Sequence, residues 1–257
     1  MNRSRFTTAL FALLLAAMPA LAQINSDLKL DWSNTSNPNG LWTYREGTNA
    51  LPAVASWQSS LGGWSTAQPG WARSENGTDR LPFWFQSNGT ETFTHDFLAG
   101  DIVLHTYDPA NGGSNGEGNV IWTSTTTDTI DISGNTWLGR DIGRGNTWSI
   151  WKNGTMLTSG VVTDGDAFNR SNPFLFANGT GGASALQGVS VVPGDIIMFQ
   201  AVRTTGAGDF IGVNMSITTS AVPEPATIAL TSLSAVAFGA YLWCNPRRRK
   251  TRVAKAK

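Results

Sequence analysis

Seven Asn-Gly pairs, led by Asn39, Asn76, Asn88, Asn111, Asn115, Asn153 and Asn178, divide this chain into short pieces. Such a pair adopts positive φ at little steric cost, which is what the tight turn of a β-hairpin requires. Between the turns lie short apolar or alternating runs at 81–85, 102–107, 120–123, 147–151, 156–162, 188–192, 195–202 and 210–218. Turn signals at that spacing predict an all-β sandwich or barrel rather than βαβ units. Only Val54, Trp57 and Leu61 fit a short helical face, bounded by Pro52 and Gly62-Gly63. Four of the pairs continue as Asn-Gly-Thr, a glycan acceptor in a eukaryotic secreted protein, but read here as hairpin turns.

The two ends follow other rules. Arg3 and Arg5 precede an apolar run at 9–17 and a small-x-small site at Ala20-Leu21-Ala22. That is the pattern of a signal peptide over 1–22, with the mature chain starting at Gln23. At the other end Val222-Pro223-Glu224-Pro225 opens an uncharged run over 226–244, followed by a basic tail over 245–257 that begins with Arg247, Arg248, Arg249 and Lys250. A helix over 226–244 spans about 28 Å, close to the hydrocarbon thickness of a bilayer. The basic cluster acts as a stop-transfer signal and stays in the cytoplasm. Pro223 and Pro225 hold the preceding backbone extended, as a processing enzyme needs. The order of motif, span and basic end resembles the PEP-CTERM sorting signal. The resemblance implies an exosortase-type enzyme as partner, export through the inner membrane, transient anchoring by a C-terminal transmembrane helix, and delivery to the cell surface or extracellular matrix. An ordinary C-terminal anchor without processing is the plainer alternative.

Residues 23–221 remain, enough for one domain with a sizeable core. Without the basic ends the balance is 9 Lys/Arg against 17 Asp/Glu, so the domain carries about −8. That charge argues against nucleic acid as partner. The single cysteine, Cys244, lies in the apolar tail, so the domain has no disulfide.

Two stretches resemble a family. Residues 31–44 contain Asn37-Pro38-Asn39-Gly40-Leu41-Trp42-Thr43-Tyr44, similar to the opening of bacterial secreted β-sandwich domains found on PEP-CTERM proteins. Ile150-Trp151-Lys152-Asn153-Gly154, then 189–192 and Gly194-Asp195-Ile196-Ile197-Met198-Phe199, resemble their later strands. These domains are similar to jelly-roll carbohydrate-binding modules, which implies a single jelly-roll-like β-sandwich over 23–221. Segments 56–80 and 108–144 match nothing in that pattern.

No catalytic motif stands out: His95 and His105 are the only histidines, and H-E-x-x-H, G-x-S-x-G and P-loop patterns are missing from the sequence. His95-Asp96 could orient an imidazole for base catalysis, although a partly exposed histidine at a strand end is the plainer reading. Asp128/Asp131 and Asp164/Asp166 are the carboxylate pairs to weigh for glycoside hydrolysis, although their Gly, Asn and Ser neighbours suit turn caps. No cofactor is expected; structural calcium has oxygen donors at 108–117 and at Asp164-Gly165-Asp166 but no EF-hand spacing. Aromatic residues are the outstanding signal, with ten of eleven Trp inside 23–221. Strand parity puts Trp148 and Ile150 on one face and Trp151 on the other. It likewise sets Trp84 against Leu81, Phe83 and Phe85, and sets Val103, His105 and Tyr107 against Ile102 and Leu104. If the larger apolar sets point inward, Trp84, His105, Tyr107 and Trp151 form a candidate carbohydrate-binding surface; if a second sheet or long loops cover both faces, they belong to the core instead. The expectation is a non-catalytic exported protein that binds or scaffolds extracellular polysaccharide. A purely structural matrix protein is the first alternative, and a glycoside hydrolase or polysaccharide lyase the second.

Overall fold

The computed structural model describes residues 24–58, 62–108 and 116–220. The expected signal peptide over 1–22, the expected sorting motif Val222–Pro225, the apolar run over 226–244, the basic tail and the Asn-Gly pairs at 111 and 115 lie outside them.

Strands account for the described chain. In chain order they are β1 (Asn25–Asp27), β2 (Trp42–Glu46), β3 (Asn49–Ala50), β4 (Ala53–Trp57), β5 (Gln68–Trp71), β6 (Phe83–Gln86), β7 (Ile102–His105) and β8 (Gly118–Thr123). They continue as β9 (Asp128–Leu138), β10 (Gly145–Lys152), β11 (Thr155–Thr163), β12 (Phe174–Leu175), β13 (Val189–Val191), β14 (Ile196–Arg203) and β15 (Phe210–Thr219). The larger sheet has the order β12-β9-β15-β7-β6-β5-β4, with β1 also on β15 and β13 also on β9. The smaller has the order β11-β10-β14-β8-β2-β3. Every pairing is antiparallel. The expected all-β class is therefore present, as two antiparallel sheets around a shared core.

That core is built from Trp42, Tyr44, Trp84, Trp122, Trp148 and Phe199 with aliphatic residues of both sheets, all nearly inaccessible. Trp84 of the larger sheet meets Phe199 of the smaller at 6.3 Å between ring centroids. Trp122 Nε1 donates to Ser26 Oγ at 3.1 Å, joining the smaller sheet to β1. Large rings require small partners. Trp137 lies over Gly212, its register partner, and a Cβ there would sit 2.1 Å from the ring. Trp148 lies over Gly160 in the same way, at 2.7 Å.

The part of the larger sheet around β4, β6 and β7 is buried on its other face too. Trp57, Trp64, Phe83, Phe85, Phe97 and Phe210 form a second cluster there with Val103 and Trp137. Trp57 stacks on Phe83 at 4.3 Å with ring planes 5° apart. Burying each such ring contributes roughly 1.5–3 kcal/mol. This second layer supplies apolar burial to a domain without disulfides.

Two expectations need correction. Val54 and Trp57 belong to a strand, not a helix; Leu61 lies outside the described residues. The β4–β5 register shifts between Val54 and Trp57. A shift of this kind puts residues three apart on one face, which imitates a helical period. Asn178-Gly179 is not a hairpin turn, since Gly179 has φ −71° and ends the 3₁₀ turn Phe176–Asn178. At Asn153-Gly154 the expected turn is present: φ is 47° and 84°, and the pair joins β10 to β11 directly beyond the Lys152–Thr155 rung. Gly40, Gly77 and Gly89 also have positive φ.

The segment that carries the family resemblance works as a clasp. Asn37 Nδ2 donates to the carbonyls of Tyr44 and Leu51, both at 2.8 Å, and Asn37 Oδ1 accepts from Tyr44 N at 2.9 Å. Trp42 Nε1 donates to Asp31 Oδ2 at 3.0 Å. These bonds seat β2 against the chain entering it.

Candidate functional site

Two strand surfaces lie outside these clusters: the outer side of β9 and β15, lined by Asp131, Ser133, Asn135, Asn214 and Ser216, and the outward face of the smaller sheet, where Thr43, Ile121, Asn119 and Ser149 are buried but Trp151, Met156 and Gln200 are not. Alternation along β10 sends Trp148 and Ile150 into the core and leaves Trp151 outward and half-exposed. Register then aligns outward residues in rows across the strands. One row is Thr43, Ile121, Met198, Trp151 and Met156. The next is polar: Arg45, Asn119, Gln200, Ser149 and Ser159. The rows interlock, because Trp151 Nε1 donates to Ser149 Oγ at 2.8 Å and so fixes the edge of the indole. Asn119 is 1% exposed and donates from Nδ2 to the carbonyl of Gly47 at 2.9 Å, while its Oδ1 has no donor. The patch thus combines an aromatic ring held by its polar edge with neighbouring donors and acceptors in fixed order.

The four aromatic candidates do not form one surface. Trp84 is fully buried between the sheets, and Phe83 and Phe85 occupy the opposite face, under the second layer. The parity was right, but both faces are interior, so Trp84 offers no ring to a ligand in this structure. His105 is also buried, against Phe210 at 4.4 Å and near Trp57 at 6.2 Å. Tyr107 is half-exposed, with the guanidinium of Arg203 5.2 Å from its ring centroid. It lines a cleft of about 450 Å³ with Gly116, Glu117 and residues 201–205. In register this cleft lies toward the end of β14 away from Met198, the partner of Trp151.

Beneath Tyr107 is a buried polar corner. Thr106 Oγ1 lies 2.9 Å from Asn146 Oδ1 and accepts from Asp209 N at 3.0 Å. Asp209 is 1% exposed, and its Oδ2 lacks a donor, as Asn146 Nδ2 lacks an acceptor. Burial raises the Asp209 carboxyl to about 7, against the pull of Arg140 and Arg144. The neighbouring His105 donates from Nδ1 to the Thr106 carbonyl at 2.8 Å, and burial lowers its pKa to about 4.

Elsewhere the acidic residues serve the backbone. Asp164 Oδ2 accepts from Gly143 N, and Asp166 accepts from Thr163 N and Phe168 N. Asp128 accepts from Thr129 N, and Asp131 from Gly188 N and Ser220 Oγ. His95 Nδ1 accepts from Phe97 N at 3.3 Å, and Asp96 Oδ2 accepts from Arg170 N. A hollow of about 170 Å³ beside them is lined by His95, Asp96, Arg140, Asp141, Asp166 and Phe168 among others. Among the described residues no three His, Cys, Asp or Glu side chains are grouped to hold a metal ion. No protein-family model and no curated protein matches the chain.

Proposed function

We propose that the chain is an exported cell-surface or matrix protein whose jelly-roll-like domain binds extracellular polysaccharide without catalysis. The observation that carries this reading is the half-exposed Trp151, pinned to Ser149 and flanked by the polar row on the outward face of the smaller sheet. An indole held in this way packs against the C–H face of a sugar, while amides and hydroxyls beside it bond the hydroxyls. The full chain in detergent, applied to a panel of neutral and acidic polysaccharides, is expected to bind at least one saturably. Trp151→Ala is expected to remove that binding with the melting temperature preserved. A panel without any saturable binder would favour a structural matrix role instead.

The sorting part of the proposal rests on residues 222–257. An exosortase-type enzyme reads Val222-Pro223-Glu224-Pro225 while the apolar run is held in the membrane and Arg247–Lys250 stays on the cytoplasmic side. Glu224→Ala is therefore expected to leave full-length protein in the membrane fraction of a host that processes the wild type. Equal release of both proteins would sink the sorting reading and leave a plain anchor.

A further inference from the structure

Arg45 differs from the other cations of the domain. Of the nine Lys and Arg in residues 23–221, five take part in ion pairs, two lie against aromatic rings and one donates to a backbone carbonyl. Arg45 makes no ion pair, side-chain hydrogen bond or ring contact among the described residues, and its Nε is buried without an acceptor. Leaving a buried donor unmet carries the full desolvation penalty. The domain has 17 carboxylates available for nine cations, which makes an unpaired arginine all the more unusual. Directly across the ladder is Asn119, whose buried Oδ1 lacks a donor. An unmet donor and an unmet acceptor, both buried, therefore adjoin at one end of the polar row, on the outward face that also carries Trp151.

We propose that this face takes an anionic polysaccharide, with the half-buried Arg45 receiving a carboxylate or sulfate. The inference rests on the polysaccharide reading and names its ligand class. Arginine suits the task because its planar fork matches the two oxygens of such a group. Arg45 is half-buried, so its stem is held while its guanidinium turns to a bound oxygen. Three strand spacings separate β2 from β10, which puts Arg45 about 14 Å from Ser149 along the polar row and about 16 Å from Trp151 in the next row. A ligand that reaches Arg45 and Trp151 lies across the strands and spans several sugar rings. The acidic remainder of the domain repels polyanions, so binding depends on this one arginine rather than on general attraction.

The test titrates the full chain in detergent with oligogalacturonate, its fully methyl-esterified form, dextran sulfate and uncharged dextran. Binding is expected for one or both charged probes and not for their uncharged counterparts. Preference for oligogalacturonate assigns the group as carboxylate, and preference for dextran sulfate as sulfate. Affinity is expected to fall about tenfold in Arg45→Gln, and also on raising NaCl from about 0.1 M to about 1 M. Lys29→Gln, on the other side of the domain, is expected to leave it unchanged. If Arg45→Gln melts early, Arg45→Lys keeps the charge without the fork and is expected to bind with intermediate affinity. Equal binding of charged and uncharged forms, lost in Trp151→Ala but intact in Arg45→Gln, overturns the anionic assignment and leaves the polysaccharide reading standing. Failure of all four probes overturns the anionic assignment, with the polysaccharide reading then judged on the wider panel alone.

Discussion

Trp84→Ala is expected to destabilise the domain by about 3–5 kcal/mol, the usual cost of removing a buried tryptophan. The side chain is fully buried where β6 faces the smaller sheet, with Tyr44 at 5.8 Å and Phe199 at 6.3 Å between ring centroids. Close packing on both sides leaves little room for collapse into the space, so the transfer and cavity terms both apply. Trp84→Phe is expected to cost less than Trp84→Ala. It keeps a ring in the site and also removes an indole N–H that is buried without an acceptor. Trp151→Ala, on the outward face of the smaller sheet, is expected to change stability by under about 1 kcal/mol. Denaturant unfolding of the three variants checks the order. A small loss for Trp84→Ala together with lost polysaccharide binding would return Trp84 to the binding surface.

Between pH 4 and 6.5 two buried groups are expected to oppose each other, with single variants exposing each slope. Asp209 is held at about 7 against an ordinary value of 3.8, so in this window the unfolded chain has released a proton that the folded chain retains. Stability therefore falls as pH rises toward 7. His105 is held at about 4 against 6.5, so in the same window the unfolded chain carries a proton that the folded chain excludes. Stability from this residue rises with pH up to 6.5 and is lost as pH falls toward 4. Over their full ranges the effects are worth about 4 kcal/mol for Asp209 and about 3 kcal/mol for His105. In the wild type they nearly cancel. Asp209→Asn is expected to show stability rising with pH across the window and to exceed wild type near pH 7. His105→Gln is expected to show the reverse slope. Unfolding midpoints of both variants that run parallel to the wild type across the window would refute the opposed pair.

The strand content was legible because most strands are short, apolar or alternating, and closed by turn residues. Every apolar run read from the sequence overlaps a strand of the structure. Strands β1 to β5, β9 and β12 lie outside those runs, and two of them show why. In β9 the apolar residues Ile130 and Ile132 are followed by Ser133-Gly134-Asn135, which reads as a turn. There Gly134 instead continues the strand at φ 143°, with the carbonyl of Asn214 where a Cβ would point. In β4 the register shift hid a strand behind helical spacing. The candidate site was less legible. Parity sorted Trp148 from Trp151 correctly, but it cannot say which face of a sheet is covered when both carry large apolar residues, as around Trp84. The polar row draws on positions 45, 119, 149, 159 and 200, brought together only by the order β2-β8-β14-β10-β11. A sequence window sees one member of that row at a time.

The placement of β15 also bears on how the molecule carries force. This strand lies inside the larger sheet, registered against nine residues of β9, three of β7 and three of β1 before the described chain ends at Ser220. Tension entering at Ser220 while the smaller sheet holds a fixed ligand runs along β15 and loads its ladders in shear, many hydrogen bonds at once. Tension applied between Ile24 and Ser220 instead peels β1 from β15 rung by rung, because the two are antiparallel with their outer ends adjacent. The domain should resist being drawn from its C-terminal side and yield readily between its two ends, a mechanical polarity set by where β15 lies in the sheet.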